Sequence, residues 1–235
     1  PASSTWTPAW TRSSNAWRPS VRSWFFHPAA GAIGWLARVF FGGRFEGVED
    51  VPRTGAFILV ANHCSNLDPP LVAWATANQV DRVIHFMAKV EMRSWPILGW
   101  FARQSAVVFV RRGERDRAAQ RQLLELLADG RPIGIFVEGT RSRDGRMRAV
   151  KPGAAWLALT AGVPLLPVGI AGTDQLFPGR ARWPHATRIT IRIGEPFTLL
   201  AGPSGRMDRE ALERGTARIA AEIAALLPPE QQPAR

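Results

Sequence analysis

Residues 133–170 read IGIFVEGTRSRDGRMRAVKPGAAWLALTAGVPLLPVGI. The stretch opens on IGIFV (133–137), a short apolar run rich in β-branched residues and closed by Glu138-Gly139, the pattern of a buried strand. Residues 152–162 follow with helical character, and PLLPVGI (164–170) is a second apolar run of strand length. Parallel strands need a crossover connection, and strand, helix, strand in succession supplies one.

The same alternation continues outward on both sides. AFILV (56–60), RVIHF (82–86) and AVVFV (106–110) read as further buried strands. TRITIRI (187–193) alternates strictly, with Ile189, Ile191 and Ile193 on one face and Thr190 and Arg192 on the other. Residues 69–79 and 114–129 read as helices between them, and 208–227 closes the chain with Leu212, Ile219, Ile223 and Leu226 on one apolar stripe. The expected fold class is α/β: a single domain over 44–235 with a mainly parallel central sheet flanked by helices.

The N-terminal part is different. Residues 1–20, rich in Ser, Thr, Pro and Trp without period, are expected to be a mobile leader. Residues 21–43, VRSWFFHPAAGAIGWLARVFFGG, crowd Trp24, Phe25, Phe26, Trp35, Phe40 and Phe41 around a helix that Pro28 can start and Gly42-Gly43 ends. That helix is too short to cross a bilayer. It is expected to lie in the membrane interface, with Arg22 and Arg38 snorkelling toward phosphates; the alternative is a buried helix packed on the domain.

Composition narrows the function classes. A hydrophobic fraction of 46% over 235 residues sustains one good core and excludes a disordered chain. Cys64 is the single cysteine, which excludes an intrachain disulfide framework and a thiolate metal cluster. The four His show no close pair at helical metal-site spacing. The formal charge is +11, and residues 103–151 hold 12 basic residues against 6 acidic ones. Such a field attracts nucleic acid, lipid headgroups or an acidic carrier protein. No nucleic-acid module is recognisable, so no nucleic-acid partner is expected. A non-catalytic basic protein would account for the charge while leaving the constellation that follows unexplained.

The strand at 56–60 runs into VANHCSNLDPPL. Reactive groups of an α/β sheet gather at the carboxyl ends of strands, where His63 and Asp68 fall. With Asp68 starting the next helix and Pro69 at its first position, the carboxylate can reach back across the turn to orient the imidazole as a base. The bland reading stands beside it: Asp before Pro is a good helix N-cap, which needs no catalysis to explain it. The strand at 133–137 leads into Glu138, Gly139, Thr140, Arg141 and Ser142, which emerge at the same edge as His63. Gly139 lets the backbone approach a ligand, Thr140 offers a hydroxyl and Arg141 a forked cation suited to phosphate. The strand at 106–110 likewise ends in Arg111-Arg112. His85 within a strand and Lys151 before a helix are expected to be a packing residue and a solvated cation.

These segments resemble the glycerophosphate acyltransferase family. Its Asn-His, four residues, Asp signature is matched by Asn62-His63-Cys64-Ser65-Asn66-Leu67-Asp68. Its Phe-Ile-x-Arg strand end resembles Phe109-Val110-Arg111-Arg112, and its Phe-Pro-Glu-Gly-Thr-Arg-Ser turn resembles Phe136 to Ser142. Its Val-Pro-x-x-Pro-Val strand is matched by Val163 to Val168. Val137 stands where the family has Pro, and Arg111 adds a charge where an acidic or neutral residue is common.

The resemblance implies that His63, held by Asp68, deprotonates the hydroxyl of a lysophospholipid, 1-acyl-glycerol 3-phosphate foremost. That hydroxyl then attacks an acyl thioester on coenzyme A or acyl carrier protein. It implies further that Arg112, Glu138, Gly139, Thr140 and Arg141 bind the acceptor. No cofactor or metal enters this scheme, and the enzyme is expected peripherally on the cytoplasmic face of the cell membrane. A relative acting on lyso-ornithine lipid or a glycolipid is the alternative.

Overall fold

The computed structural model describes residues 35, 38, 42–80, 82–91, 107–110, 116–142, 144–176, 185, 187–200 and 208–233. Seven strands form one sheet: β1 (Arg44–Glu46), β2 (Ile58–Ala61), β3 (His85–Lys89), β4 (Val108–Val110), β5 (Ile133–Phe136), β6 (Leu165–Ala171) and β7 (Thr190–Ile193). Their order is β1-β7-β6-β2-β5-β3-β4. The strands from β6 to β4 are parallel neighbours, whereas β7 runs antiparallel to β6 and carries β1 parallel to itself at the edge. Among the described residues the α-helices α1 (Asp68–Val80), α2 (Arg117–Ala128), α3 (Gly153–Ala161) and α4 (Arg209–Leu226) flank the sheet. The α/β expectation, with a mainly parallel sheet, is met.

Central strands buried on both faces read as unbroken apolar runs because each face needs its own apolar set. In β2 the pleat sends Ile58 and Val60 to a core shared with Leu123, Leu127, Ala155, Leu157, Ile219 and Ile223 of α2, α3 and α4. Leu59 and Ala61 point to the opposite core, with Leu71, Val72 and Ala75 of α1 and with Ile189, Ile191 and Ile193. Burying one such Ile or Leu stabilises by about 1.5–3 kcal/mol, so these two layers fix which face each residue of β2 presents. Thr190 and Arg192 lie half-buried on the other side of β7, as their alternation predicts.

Two expectations are revised. The strand placed at 82–86 begins three residues later. Val83 and Ile84 are buried before it, and Arg82 ties the approach down by donating to the carbonyls of Pro52 (3.2 Å), Gly55 (2.6 Å) and Gly130 (2.6 Å). Apolar burial there precedes ladder pairing. β1 is a strand that the pattern did not announce, since three residues are too few to carry a period. Helix ends follow local capping chemistry: Asp116 and Asp208 accept the N–H of Ala119 and Ala211, and Gly162 closes α3 at φ 65°.

Within 21–43, Trp35 and Arg38 are helical and exposed, while the remainder up to Phe41 lies outside the described residues, as does 1–20. Among the described residues, no helix is long and apolar enough to cross a membrane.

Candidate active site

β2 ends at Ala61, and the chain beyond it is held to its neighbours by side chains and a turn instead of a ladder. Asn62, fully buried, pairs twice with Ile170 of β6: its Nδ2 donates to the carbonyl at 2.8 Å and its Oδ1 accepts the N–H at 2.8 Å. That bidentate grip fixes the residue just before His63.

Asp68 is fully buried, and three donors converge on its Oδ2: His63 Nδ1 at 2.8 Å, Cys64 N at 2.7 Å and Ser65 N at 2.8 Å. The capping reading is not what the structure adopts. Pro69 and Pro70 have no N–H to cap, and the first available one, that of Leu71, goes to the Leu67 carbonyl at 3.1 Å. The carboxylate is therefore turned back onto the turn, where its other oxygen is buried without a partner. Because Oδ2 accepts this bond, His63 Nδ1 is its donor and Nε2 is left to a partner outside the pair. The Phe136 ring stacks on the imidazole at 4.2 Å between centroids and 23° between planes, and the His63 side chain is 14% exposed.

The turn after β5 meets His63 directly. Ser142 N donates to the His63 carbonyl at 2.7 Å, and His63 N donates to Glu138 Oε1 at 3.0 Å. The expected gathering of the two segments at one sheet edge is thus observed. Gly139 has φ 69°, a conformation costly for a residue with a Cβ, and it reverses the chain so that Glu138 faces inward while Thr140 and Arg141 are exposed. The Lys151 side chain lies across this glycine: a Cβ there would sit 2.9 Å from Nζ. Lys151 is therefore exposed yet beside the turn, closer to the site than a cation merely starting a helix. Arg112 lies outside the described residues; β4, which leads to it, ends at Val110.

Glu138 faces away from the exposed groups of its turn. It is 2% exposed, Oε1 is taken by the His63 amide and Oε2 is buried without a hydrogen bond of good geometry. Burial pushes its carboxyl above the usual carboxylate range, opposed by the backbone N–H groups of His63 and Arg148. Cys64 is buried, and that burial, followed by the charges of Asp68, Asp174 and Glu138, pushes its thiol up, so it stays protonated and is no nucleophile. His85 is buried in β3, and burial together with Arg131 pushes its imidazole down to about 4, which fits a neutral packing residue. Among the described residues no cluster of His, Cys, Asp and Glu fit to hold a metal is present.

Sequence reasoning passed over Asn62 as a structural clamp and Phe136 as the platform under the imidazole. Both sit inside the quoted motifs, but their partners are remote in the chain: Ile170 is 108 residues from Asn62.

The mainly parallel α/β sheet carries a His-Asp pair at a strand end, backed by a Glu-Gly-Thr-Arg turn, and a pair so arranged can serve a group-transfer reaction as an oriented base. The acyltransferase family model matches residues 42–171, and the chain belongs to that family. It is 32% identical over 199 residues to the lyso-ornithine lipid O-acyltransferase of Pseudomonas aeruginosa, covering 77% of this chain and 72% of that one. It is 32% identical over 145 residues to a 1-acyl-sn-glycerol-3-phosphate acyltransferase of Borreliella burgdorferi, covering 61% of this chain and 56% of that one. The crystal structure of the Thermotoga maritima 1-acyl-sn-glycerophosphate acyltransferase PlsC superposes with a TM-score of 0.63 at 32% identity, covering 84% of this chain and 77% of that one.

Proposed function

We propose that the enzyme transfers a fatty acyl group from an acyl thioester to the free hydroxyl of a lysophospholipid, 1-acyl-sn-glycerol 3-phosphate first, giving phosphatidic acid. The observation that carries this reading is the bond on the His63 ring: Nδ1 held by Asp68, leaving Nε2 as the base. Nε2 takes the hydroxyl proton as the oxygen attacks the thioester carbonyl carbon. The tetrahedral adduct then collapses, the C–S bond breaks, and the departing thiolate receives the proton from His63. Asp68 holds the tautomer and stabilises the imidazolium between the two transfers. The acyl donor, on coenzyme A or acyl carrier protein, is a substrate, so the scheme needs no cofactor.

Thr140 and Arg141, exposed in the turn whose Ser142 amide bonds His63, and the Gly139 backbone support the reading of an acceptor phosphate site, to which we assign Arg112 as well. Arg141→Ala and Arg112→Ala are expected to raise the KM for the phosphorylated acceptor about tenfold or more, with a smaller effect on kcat, because a charge-assisted contact present before the transition state is lost. A matrix of lysolipid acceptors against acyl donors, scored by product mass, checks this. Equal losses with acceptors that have and lack a phosphate would remove these arginines from the phosphate site.

Lyso-ornithine lipid is the second reading. The Pseudomonas aeruginosa relative shares more of both chains with this protein than the Borreliella burgdorferi relative does. The same matrix separates the two acceptors.

We further assign residues 21–43 to a peripheral seat on the cytoplasmic leaflet, with 44–235 as the acyltransferase domain. The motivation is the cluster of Trp and Phe flanked by Arg22, Arg38 and Arg44. Replacing Trp24, Phe25 and Phe26 by Ser is expected to abolish co-sedimentation with anionic vesicles, whereas salt weakens it only partly. Each buried aromatic contributes about 1.5–3 kcal/mol against about 1 kcal/mol per basic residue near the surface. A loss of the cooperative melt in the variant, in place of a loss of vesicle binding, would identify the segment as core.

A further inference from the structure

The peptide groups around His63 are satisfied from outside any ladder. The His63 N–H goes to Glu138 Oε1 and its C=O receives the Ser142 N–H, so the Glu138–Ser142 turn grips the residue at both ends. Glu138 is reached through β5, which is registered on β2 from Ile58↔Ile133 to Ala61↔Phe136 and extended by Val137 N donating to the Ala61 carbonyl at 3.0 Å. Its carboxylate stands where the next ladder carbonyl would be. With one oxygen occupied and the other enclosed, neither is presented to a ligand. A carboxylate facing the acceptor would also repel an anionic phosphate, while one buried behind the base does not meet it. Gly139 then turns the chain, and the exposed groups of the motif begin at Thr140.

We propose that Glu138 is a positioning residue that sets the main chain of His63, and is not a ligand of the substrate. The motif accordingly divides its labour: Glu138 and the Ser142 amide fix the base, and Thr140 and Arg141 hold the acceptor. The inference rests on His63 being the base, since a residue acts through His63 only if His63 acts.

Kinetics of Glu138→Ala and Glu138→Gln, with acceptor KM and kcat measured separately, test it. Glu138→Ala frees the His63 amide, and a displacement near 1 Å at a catalytic group is expected to lower kcat roughly 10–100-fold while the acceptor KM stays within about twofold. Glu138→Gln keeps an acceptor oxygen for that N–H and is expected to recover kcat to within about fivefold of the parent, again at an unchanged KM. A substrate ligand behaves in the opposite way: KM rises in both variants with kcat little changed, and that result overturns the proposal. So does a Gln variant as slow as the Ala variant.

If Glu138→Ala loses its cooperative melt, Glu138→Gln decides alone. Near-parental kcat and KM support the positioning role, and a depressed kcat or raised KM in a folded Gln variant overturns it. His63→Ala, assayed alongside, keeps the two claims apart. Activity in that variant removes the base assignment, whereas an inactive His63→Ala beside an adverse Glu138 pattern removes this inference only.

Discussion

His63→Ala is expected to lower kcat by about 10²–10⁴-fold, the usual contribution of a positioned general base, while leaving the fold intact. The imidazole is at the sheet edge and 14% exposed, stacked on Phe136 and bonded to Asp68, so its removal opens space at the mouth of the site and none inside either core. The main-chain bonds from Ser142 and to Glu138 involve the backbone of residue 63 and survive the change. Turnover of a purified variant, beside its thermal melt, checks both halves. Near-normal activity would remove His63 from the mechanism.

Asp68→Asn has the second largest expected effect, about 10²–10⁴-fold in kcat, together with a measurable loss of stability. The site presents three donors to one oxygen. An amide satisfies them by turning its oxygen toward the donors, which forces its NH₂ into the place of Oδ1, buried and without a partner. Leaving such a donor unsatisfied costs about 1–3 kcal/mol. The imidazole keeps an acceptor but loses the negative charge that stabilises its protonated form between the two transfers. Acceptor KM should change little, since Asp68 is fully enclosed and touches no ligand. Urea unfolding and steady-state kinetics of the same preparation measure the two effects. An Asn variant with parental kcat would reduce Asp68 to a structural turn residue.

Much of this was readable from the chain, for identifiable reasons. β2, β5 and β6 are continuous apolar runs because helices cover both faces of the sheet, and the alternation in 187–193 fixed the face of β7. His63 and Asp68 are five residues apart, so their meeting is a local event that a turn decides. β1 has only three residues, and β3 has buried apolar residues ahead of its ladder; neither boundary is encoded in a periodic pattern. The direction of Glu138 depends on a glycine at positive φ and on an amide 75 residues away. Read as a string, Glu-Gly-Thr-Arg gives four groups an equal claim on the substrate, and only the fold separates the inward one from the outward ones. The N-cap reading of Asp68 failed for a reason partly legible in the chain, since two prolines leave Leu71 as the first N–H of the turn, and the Leu67 carbonyl takes it.

The most direct test of the account is the stoichiometry of a single preparation given acyl thioester and 1-acyl-sn-glycerol 3-phosphate. Free thiol and acylated product are counted together, in the parent and in His63→Ala. The account predicts one ester formed per thiol released in the parent, and loss of both at once in the variant. Thiol release without a matching ester, or ester formation that persists without His63, would contradict it.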